Sequence, residues 1–575
     1  MKDPEIATPS EIFSQAARYK APAFQRYYVW GEKQWEGLVE DLETADHKNG
    51  QFLGAIVLKD LGKHSGPTSP TTYLLIDGQQ RLTTLYMLLV ALAESAQAQG
   101  FPEDSEYIVD NYLVEKNRAF RGWPKLVPTL QDRHTFYEIL KDALPDVPWE
   151  VRQDPVESKP RASAALNSQW TRIRAFVYER VGSEAGENKP NFDFLLNVVQ
   201  TQLKLINITL EQDDDANGIF SRLNAKGVAL ELSDLIRNEV FSKFSPVTAK
   251  DAAKAEYFFE KSWQPFEKIF PEKTLDAFFP IYAHIALKGK ATKETAFGEL
   301  QELWRKTRPS EIIADMTRYA TFYAALSKYE APISSLSAEL NEQVERISRM
   351  PRTRVTWPFL LQVLHAVSEK EITPRSALKC LKIVESFLVR RALYGEEPTG
   401  LHAVFKVLWE KTKGDPKAVI EKVFTRTITS PSDKDLIAYL KKEPSDTRVI
   451  LPYVLQEWER HVIKQHKYDP PTLTKATIEH VMPKNLGRGW TKAVSPEDHH
   501  RAHRLIGNMA ALSERQNKSL KDQSWDQKRK RFEGSDFKST KKLARKNAWT
   551  AVEIDARTVS MSKWITSRWP ELEKI

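Results

Sequence analysis

The sequence predicts an α+β, predominantly helical protein with an N-terminal α/β domain, a helical middle and a small basic C-terminal domain. Three observations carry this. Short apolar runs bounded by turn residues, Phe52–Leu58 and Tyr73–Ile76, and the alternating stretch Leu196–Leu210 read as strands in the N-terminal part. From about Pro246 to Val462 the apolar spacing is helical, with no strong strand signal. From Pro471 to Ile575 there are 22 Lys+Arg against 12 Asp+Glu, whereas the whole chain is only +8, so the basic excess is confined to this end. A basic domain is the electrostatic footprint of a polyanion partner or, more blandly, a solvated surface. The expected divisions are residues 1–245, 246–466 and 467–575, with the stretch Lys467–Thr474, which contains Pro470-Pro471, as linker.

At 575 residues the chain exceeds one ordinary core. Its ordinary apolar content and 15 Trp indicate a folded chain rather than a disordered one. The start, MKDPEIATPS, lacks a basic region followed by an apolar core, which argues against a secretory signal. The longest apolar stretch, Leu82–Ala93, is too short to span a bilayer and reads as a buried helix. A single cysteine, Cys380, excludes an internal disulfide and a Cys-cluster zinc site. The expectation is a cytoplasmic protein with no membrane partner.

In chain order, Pro9–Ala17 reads as a helix leading to an extended segment, Ala23–Arg26. Trp30–Leu42 places Trp35, Leu38, Val39 and Leu42 on one helical face. The Phe52–Leu58 strand is followed by a Gly/Ser/Pro/Thr-rich loop, Gly62–Thr72. The Tyr73–Ile76 strand breaks at Asp77-Gly78, and a helix begins near Gln80. Asp213–Phe241 reads as two helices around Gly227.

The C-terminal domain carries an ordered constellation. Ile478-Glu479-His480-Val481-Met482-Pro483 reads as a strand end, Ile506-Gly507-Asn508 as the start of a second strand, and Asn517, nine residues on, as the start of a helix. HNH nucleases, which use a ββα-metal unit, share this pattern. Their histidine is the base that takes a proton from the attacking water. A first Asn braces the histidine loop, and a neighbouring carboxylate and a second Asn hold a divalent ion that stabilises charge at the phosphate. On this pattern His480 and Asn508 are catalytic, and Glu479 and Asn517 are metal ligands. Oxygen ligands suit Mg²⁺ or Mn²⁺ better than Zn²⁺. Many such sites have Asp before the His, so Glu479 is the departure here. His503 is either a further phosphate or metal contact or an ordinary surface residue; His499 and His500 read as surface. The run Lys528-Arg529-Lys530-Arg531, with Lys538, Lys541, Lys542, Arg545 and Lys546, would track a DNA backbone or form a solvated face.

The second constellation is Ile76-Asp77-Gly78-Gln79-Gln80-Arg81-Leu82-Thr83-Thr84-Leu85, a strand that turns into a helix. Backbone N–H groups at a helix start, an Arg and two amides suit a phosphate or nucleotide. Phe24-Gln25-Arg26 would bring a second Arg and amide, and Asp77 would hold a metal or water. The bland alternative is a helix cap with Asp77 at the N-cap. The chain has no Walker A and no G-x-G-x-x-G pattern.

Together these motifs, with Phe24–Trp30, Phe52-Leu53-Gly54 and Ile219–Asn238, resemble the GmrSD-type modification-dependent (type IV) restriction endonuclease family. The resemblance spans nearly the whole chain, although the central helices match only in character apart from Arg390-Arg391. It implies a ParB/sulfiredoxin-like N-terminal domain that binds NTP (GTP or ATP) at Asp77, Gly78, Gln79, Gln80 and Arg81, with Gln25 and Arg26. It further implies a C-terminal HNH domain that cuts DNA, in the family modified phage DNA. One such site cuts one strand, so a homodimer or two events would be needed to break both. The rival readings are a non-cleaving DNA-binding regulator and an NTP-switched RNA nuclease of abortive infection.

Overall fold

Among the described residues of the N-terminal part, six strands form one mixed sheet in the order β1-β6-β3-β4-β2-β5. They are β1 (Glu5–Ala7), β2 (Ala17–Lys20), β3 (Gln51–Lys63), β4 (Thr71–Asp77), β5 (Leu126–Val127) and β6 (Leu203–Leu210). The computed structural model describes every residue except 1–2, 23–24, 46–49, 64–68, 118–119, 151–162, 182–188, 212–231, 245–248, 272–273, 293, 464–476, 488, 492 and 521. The expected linker and most of the Ile219–Asn238 motif therefore lie outside the described residues.

β3 runs parallel to β6 and antiparallel to β4, and β2 is parallel to β4 and β5. The interior strands are continuous apolar runs because both faces are covered: Ile56, Val57 and Leu58 in β3 and Leu74, Leu75 and Ile76 in β4 are all buried. The helix that follows β4, Gln79–Ala98, is buried at every position from Leu82 to Ala93, so it is a core helix, as its all-round apolar sequence predicts. The expected strand at Leu196–Leu210 begins only at Leu203. Before it, Lys189–Asn197 is helical and continues as a π-turn, Val198–Gln202, which buries Leu195, Leu196, Val198 and Val199. The strands β1, β2 and β5 have two to four residues each and take their pairing from distant segments, so the sequence does not announce them.

Where three domains were expected, the chain forms two units: residues 1–268 with 301–313, and 269–300 with 314–575. The helical middle and the basic C-terminal region both lie in the second unit, where residues between Val481 and Ile554 build an apolar cluster of their own. Buried polar groups tie the two regions together. Arg390, fully buried on the Pro374–Tyr394 helix, donates to the Pro431 carbonyl (2.6 Å), Asp433 (2.7 Å) and the Trp569 carbonyl (2.9 Å). Glu385 on the same helix accepts from Gln343, Tyr453, Trp569 and Arg568 at 2.5–3.1 Å. Burial pushes the Glu385 carboxyl up, but Arg568 and the hydrogen bonds from Gln343, Trp569 and Tyr453 more than offset this and hold it below the ordinary range. Arg390-Arg391 is therefore a structural pair: Arg391 likewise donates to the Glu397 carbonyl.

A third tie is Glu459, fully buried on the Leu451–Ile463 helix. It accepts the Lys538 and Ser539 N–H groups at 2.5 and 2.8 Å and so caps the Lys538–Leu543 helix. Removing it leaves two orphaned donors. Glu459→Ala is expected to lower the unfolding free energy of this unit by about 2–4 kcal/mol in urea titrations.

The same unit contains a histidine pair, His284 and His402, with Nε2 atoms 3.0 Å apart. Burial, with His402 and Lys406 adding to it, holds the His284 pKa down to about 4. The unfolded chain binds a proton near the ordinary histidine value that the folded chain refuses, so this stability is present above about 6.5 and lost as pH falls toward 4. Unfolding free energy should decline across that window, and a His284→Phe variant should show a smaller decline.

Candidate active site

β7 (Ile478–His480) pairs antiparallel with β8 (Met509–Ala511), with His480 opposite Met509, and the Glu514–Leu520 helix follows. The β-β-α order expected for the C-terminal constellation is thus present. Asn508 precedes β8 and is completely buried. Its Oδ1 accepts the Met482 N–H (2.8 Å) and the Trp549 indole N–H (3.0 Å). Its Nδ2 donates to the Met482 and His503 carbonyls (2.8 and 2.7 Å). One amide therefore uses its full hydrogen-bonding capacity to hold the chain that leaves His480. Gly507, just before it, has no room for a side chain: a Cβ would lie 2.3 Å from the Ile554 carbonyl and from Thr558 Oγ1 on the Ala551–Arg568 helix.

His480 is largely buried at the end of β7. Burial, reinforced by Lys484 and only partly opposed by Asp446, lowers its pKa to about 4, so its imidazole is uncharged at neutral pH. His499 and His503 are not simple surface residues. His499 Nε2 donates to the Pro483 carbonyl (2.8 Å), His503 Nδ1 donates to the His499 carbonyl (2.7 Å), and their rings stack at 4.4 Å. They brace the loop after His480 from its other side. Asn517 donates to the Ile478 carbonyl at 3.1 Å, which sets the helix beside β7.

One expectation needs correction, that of Lys528 as a DNA contact. Glu479 is buried at the middle of β7. There it pairs with Lys528 Nζ at 2.5 Å, and Lys528 also donates to the His480 carbonyl at 2.9 Å. Lys528 is therefore a buried structural residue and not part of a DNA-facing strip. Burial raises the Glu479 pKa and lowers that of Lys528, so desolvation outweighs the mutual attraction on both sides. Arg529 is half-buried, whereas Lys530, Arg531, Lys538, Lys541, Lys542, Arg545 and Lys546 are exposed.

The carboxylate that does approach His480 is Asp446, which the sequence reading missed. Its Oδ2 lies 3.4 Å from His480 Nε2, and its Oδ1 accepts from Arg504 Nε at 2.9 Å. Nothing in Glu443-Pro444-Ser445-Asp446 distinguishes this stretch from an ordinary interhelical turn. Among the described residues no three His, Cys, Asp or Glu side chains are grouped to hold a metal ion. Carboxylate and amide oxygens on and beside β7 nonetheless suit a hard divalent cation, because Mg²⁺ ordinarily takes one or two protein carboxylates and fills its shell with water and phosphate oxygens.

In the N-terminal unit the Asp77–Arg81 motif occupies the turn from β4 into its helix. Gly78, with φ +86°, is the N-cap residue, and no side chain caps the helix, so the cap expected from Asp77 is not formed. A Cβ there would press to 2.7 Å on Ile56. Burial raises the Asp77 pKa, opposed by the Gly78 N–H and Arg81. Arg81 donates to the Ala55 carbonyl (2.7 Å) and lies against Gly54. The three amides form a clamp on the segment 25–30. Gln25 Nε2 donates to the Ile76 carbonyl and Gln79 Nε2 to the Arg26 carbonyl, both at 2.7 Å. Gln80 accepts the Val29 N–H (2.8 Å) and donates to the Tyr27 carbonyl (3.2 Å). The Oε1 atoms of Gln25 and Gln79 are buried without a hydrogen-bond donor. Phe24 lies outside the described residues.

A mixed α/β sheet with a helix-initiating Asp-Gly-Gln-Gln-Arg turn, and a β-β-α module around a buried histidine, together define a two-part nuclease class. The chain matches the family description "GmrSD restriction endonuclease, N-terminal domain" over residues 9–241 and "GmrSD restriction endonucleases, C-terminal domain" over residues 430–564. It belongs to the GmrSD restriction endonuclease family. No curated protein matches it. Among the described residues no helix is long and apolar enough to cross a membrane.

Asn508→Ala would orphan the Met482 N–H and carbonyl, the His503 carbonyl and the Trp549 indole N–H. It is expected to cost about 3–5 kcal/mol of unfolding free energy, read by denaturant titration.

Proposed function

We propose that this restriction endonuclease is an NTP-regulated, metal-dependent enzyme of HNH type that cleaves modified foreign DNA, a type IV restriction activity directed against phage. The observation that carries the nuclease reading is the buried, uncharged His480 imidazole on a β-β-α module whose loop is locked by Asn508. An uncharged imidazole accepts a proton. His480 takes one from a water, the water oxygen bonds to phosphorus, and the P–O bond to the leaving oxygen breaks; that oxygen takes a proton from solvent. A bound Mg²⁺ or Mn²⁺ would supply charge stabilisation at the phosphate and leaving oxygen. The residues that would hold it are Asn517 and Glu479, with Asp446 a further carboxylate beside His480.

The exposed cations from Lys530 to Lys546 suit contacts to the phosphate backbone, which position DNA without reading its sequence. At the N-terminal motif, the uncapped helix start and Arg81 suit the phosphates of GTP or ATP. The two unpaired amide oxygens of Gln25 and Gln79 would accept donors. Because Gln79 and Gln80 also hold segment 25–30, a nucleotide there would act directly on that segment.

The test is a cleavage assay with phage DNA carrying modified cytosines and with matched unmodified DNA, with Mg²⁺ or Mn²⁺, with and without GTP or ATP. Metal-dependent cutting that prefers modified DNA is expected. His480→Ala should lower the rate by roughly 10²–10⁴-fold, and Arg81→Ala should remove the nucleotide response. Undiminished cutting by His480→Ala would place the chemistry elsewhere. Equal cutting of both DNAs would remove modification dependence, and rates indifferent to nucleotide would remove the regulatory part.

A further inference from the structure

We infer that Arg504 grips the phosphate that is cut beside His480. The inference rests on the nuclease reading above and adds a phosphate ligand that neither the strand motif nor the basic run supplies. Its first support is position. One carboxylate, Asp446, lies between the two side chains: its Oδ1 accepts from Arg504 Nε at 2.9 Å, and its Oδ2 lies 3.4 Å from His480 Nε2. The guanidinium and the imidazole are thus neighbours across a single Asp, on the scale of one phosphate and its attacking water. The main chain fixes the same arrangement. The Ser445 N–H donates to the Arg504 carbonyl at 2.9 Å, and Asn508 Nδ2 holds the adjoining His503 carbonyl at 2.7 Å.

The second support is what Arg504 has left to give. A guanidinium carries five N–H donors, and Asp446 takes the one on Nε. Among the described residues the terminal nitrogens of Arg504 meet no partner. Other arginines of this unit are committed. Arg501, one turn earlier, places both terminal nitrogens on Asp555 at 2.9 Å, and Arg557 donates to the Gly507 and Met509 carbonyls. A guanidinium held at Nε presents its two terminal nitrogens as a fork that matches two oxygens of a phosphate. The third support is the order of exposure. The Asp446 side chain is 6% exposed, His480 15% and Arg504 39%. The enclosed carboxylate braces the guanidinium from within, and the fork stands on the solvent side, from which DNA arrives. As the water oxygen bonds to phosphorus and the bond to the leaving oxygen breaks, the fork offsets charge on the phosphate oxygens.

The experiment is single-turnover cleavage by the full chain, under conditions where the wild type cuts phage DNA, with DNA affinity and thermal unfolding measured for each variant. Arg504→Ala is expected to slow cutting of bound DNA by about 10²-fold. Its DNA affinity should stay within about threefold of wild type, because one phosphate contact is lost among several. Arg504→Gln separates a fork from a brace. Its amide still donates to Asp446, so a residue needed only to hold that carboxylate would leave the rate near wild type, whereas loss of the charged fork should again cost about 10²-fold. Should Arg504→Ala melt early, Arg504→Gln alone gives the answer. The inference is overturned if either folded variant cuts bound DNA within about threefold of the wild-type rate, or if affinity falls while the rate on bound DNA is unchanged. Failure of the nuclease reading looks different: the wild type cuts nothing, or His480→Ala cuts at the wild-type rate, and either result removes this inference as well.

Discussion

The C-terminal site depends on one side-chain amide. Asn508 is completely buried and meets four partners with its two ends, two of them the N–H and carbonyl of Met482. An amide used to capacity in a low-dielectric interior fixes its neighbours, because each broken bond would leave a polar group with no water to turn to. The bonds to Met482 set the path of the chain as it leaves β7, and hence where His480 ends. The bond to the His503 carbonyl ties in the segment that carries Arg504, which in turn aims Asp446. Gly507 can come close enough to the Ala551–Arg568 helix only because it has no Cβ. Arg557 on that helix donates to the Gly507 and Met509 carbonyls on either side of Asn508, at 2.7 and 2.6 Å.

Around this anchor, burial sorts the charges into two kinds. Glu479 with Lys528, and Glu459 with the Lys538–Leu543 helix start, are satisfied inside the core and hold elements together. Asp446 and His480 are nearly as enclosed, but their meeting is looser, at 3.4 Å. Loosely satisfied polar groups in an enclosed place are where chemistry is expected, and tightly satisfied ones are where stability is. The N-terminal turn shows the same division. Gln80 is spent at both ends on segment 27–29, whereas Gln25 and Gln79 each keep a buried oxygen without a donor.

The parts of this arrangement that were legible in the sequence are local. The β4 strand, its Asp77-Gly78 break and the buried helix beyond it follow from an apolar run, a turn and another apolar run within thirty residues. The order of His480, Asn508 and Asn517 was legible from the HNH pattern rather than from local spacing. What was not legible is long-range. Lys528 looked like one more member of a basic run, and only the fold reveals that it meets a carboxylate 49 residues away. Asp446 sits in an unremarked turn 34 residues before its histidine. The ties between the helical middle and the C-terminal region were not legible, because Arg390, Glu385 and Glu459 make them through side chains whose partners have no sequence signature. The short strands β1, β2 and β5 escaped notice because their stability comes from neighbours supplied by other parts of the chain.

The central claim is that DNA is cut at His480, on the β-β-α module that Asn508 holds. The most direct test is a crystal structure of the inactive His480→Ala chain with duplex DNA and Mn²⁺, using the anomalous signal of manganese to locate the ion. The account predicts a manganese peak beside position 480, with a phosphate facing it. Manganese or the DNA backbone bound remote from position 480 would contradict it.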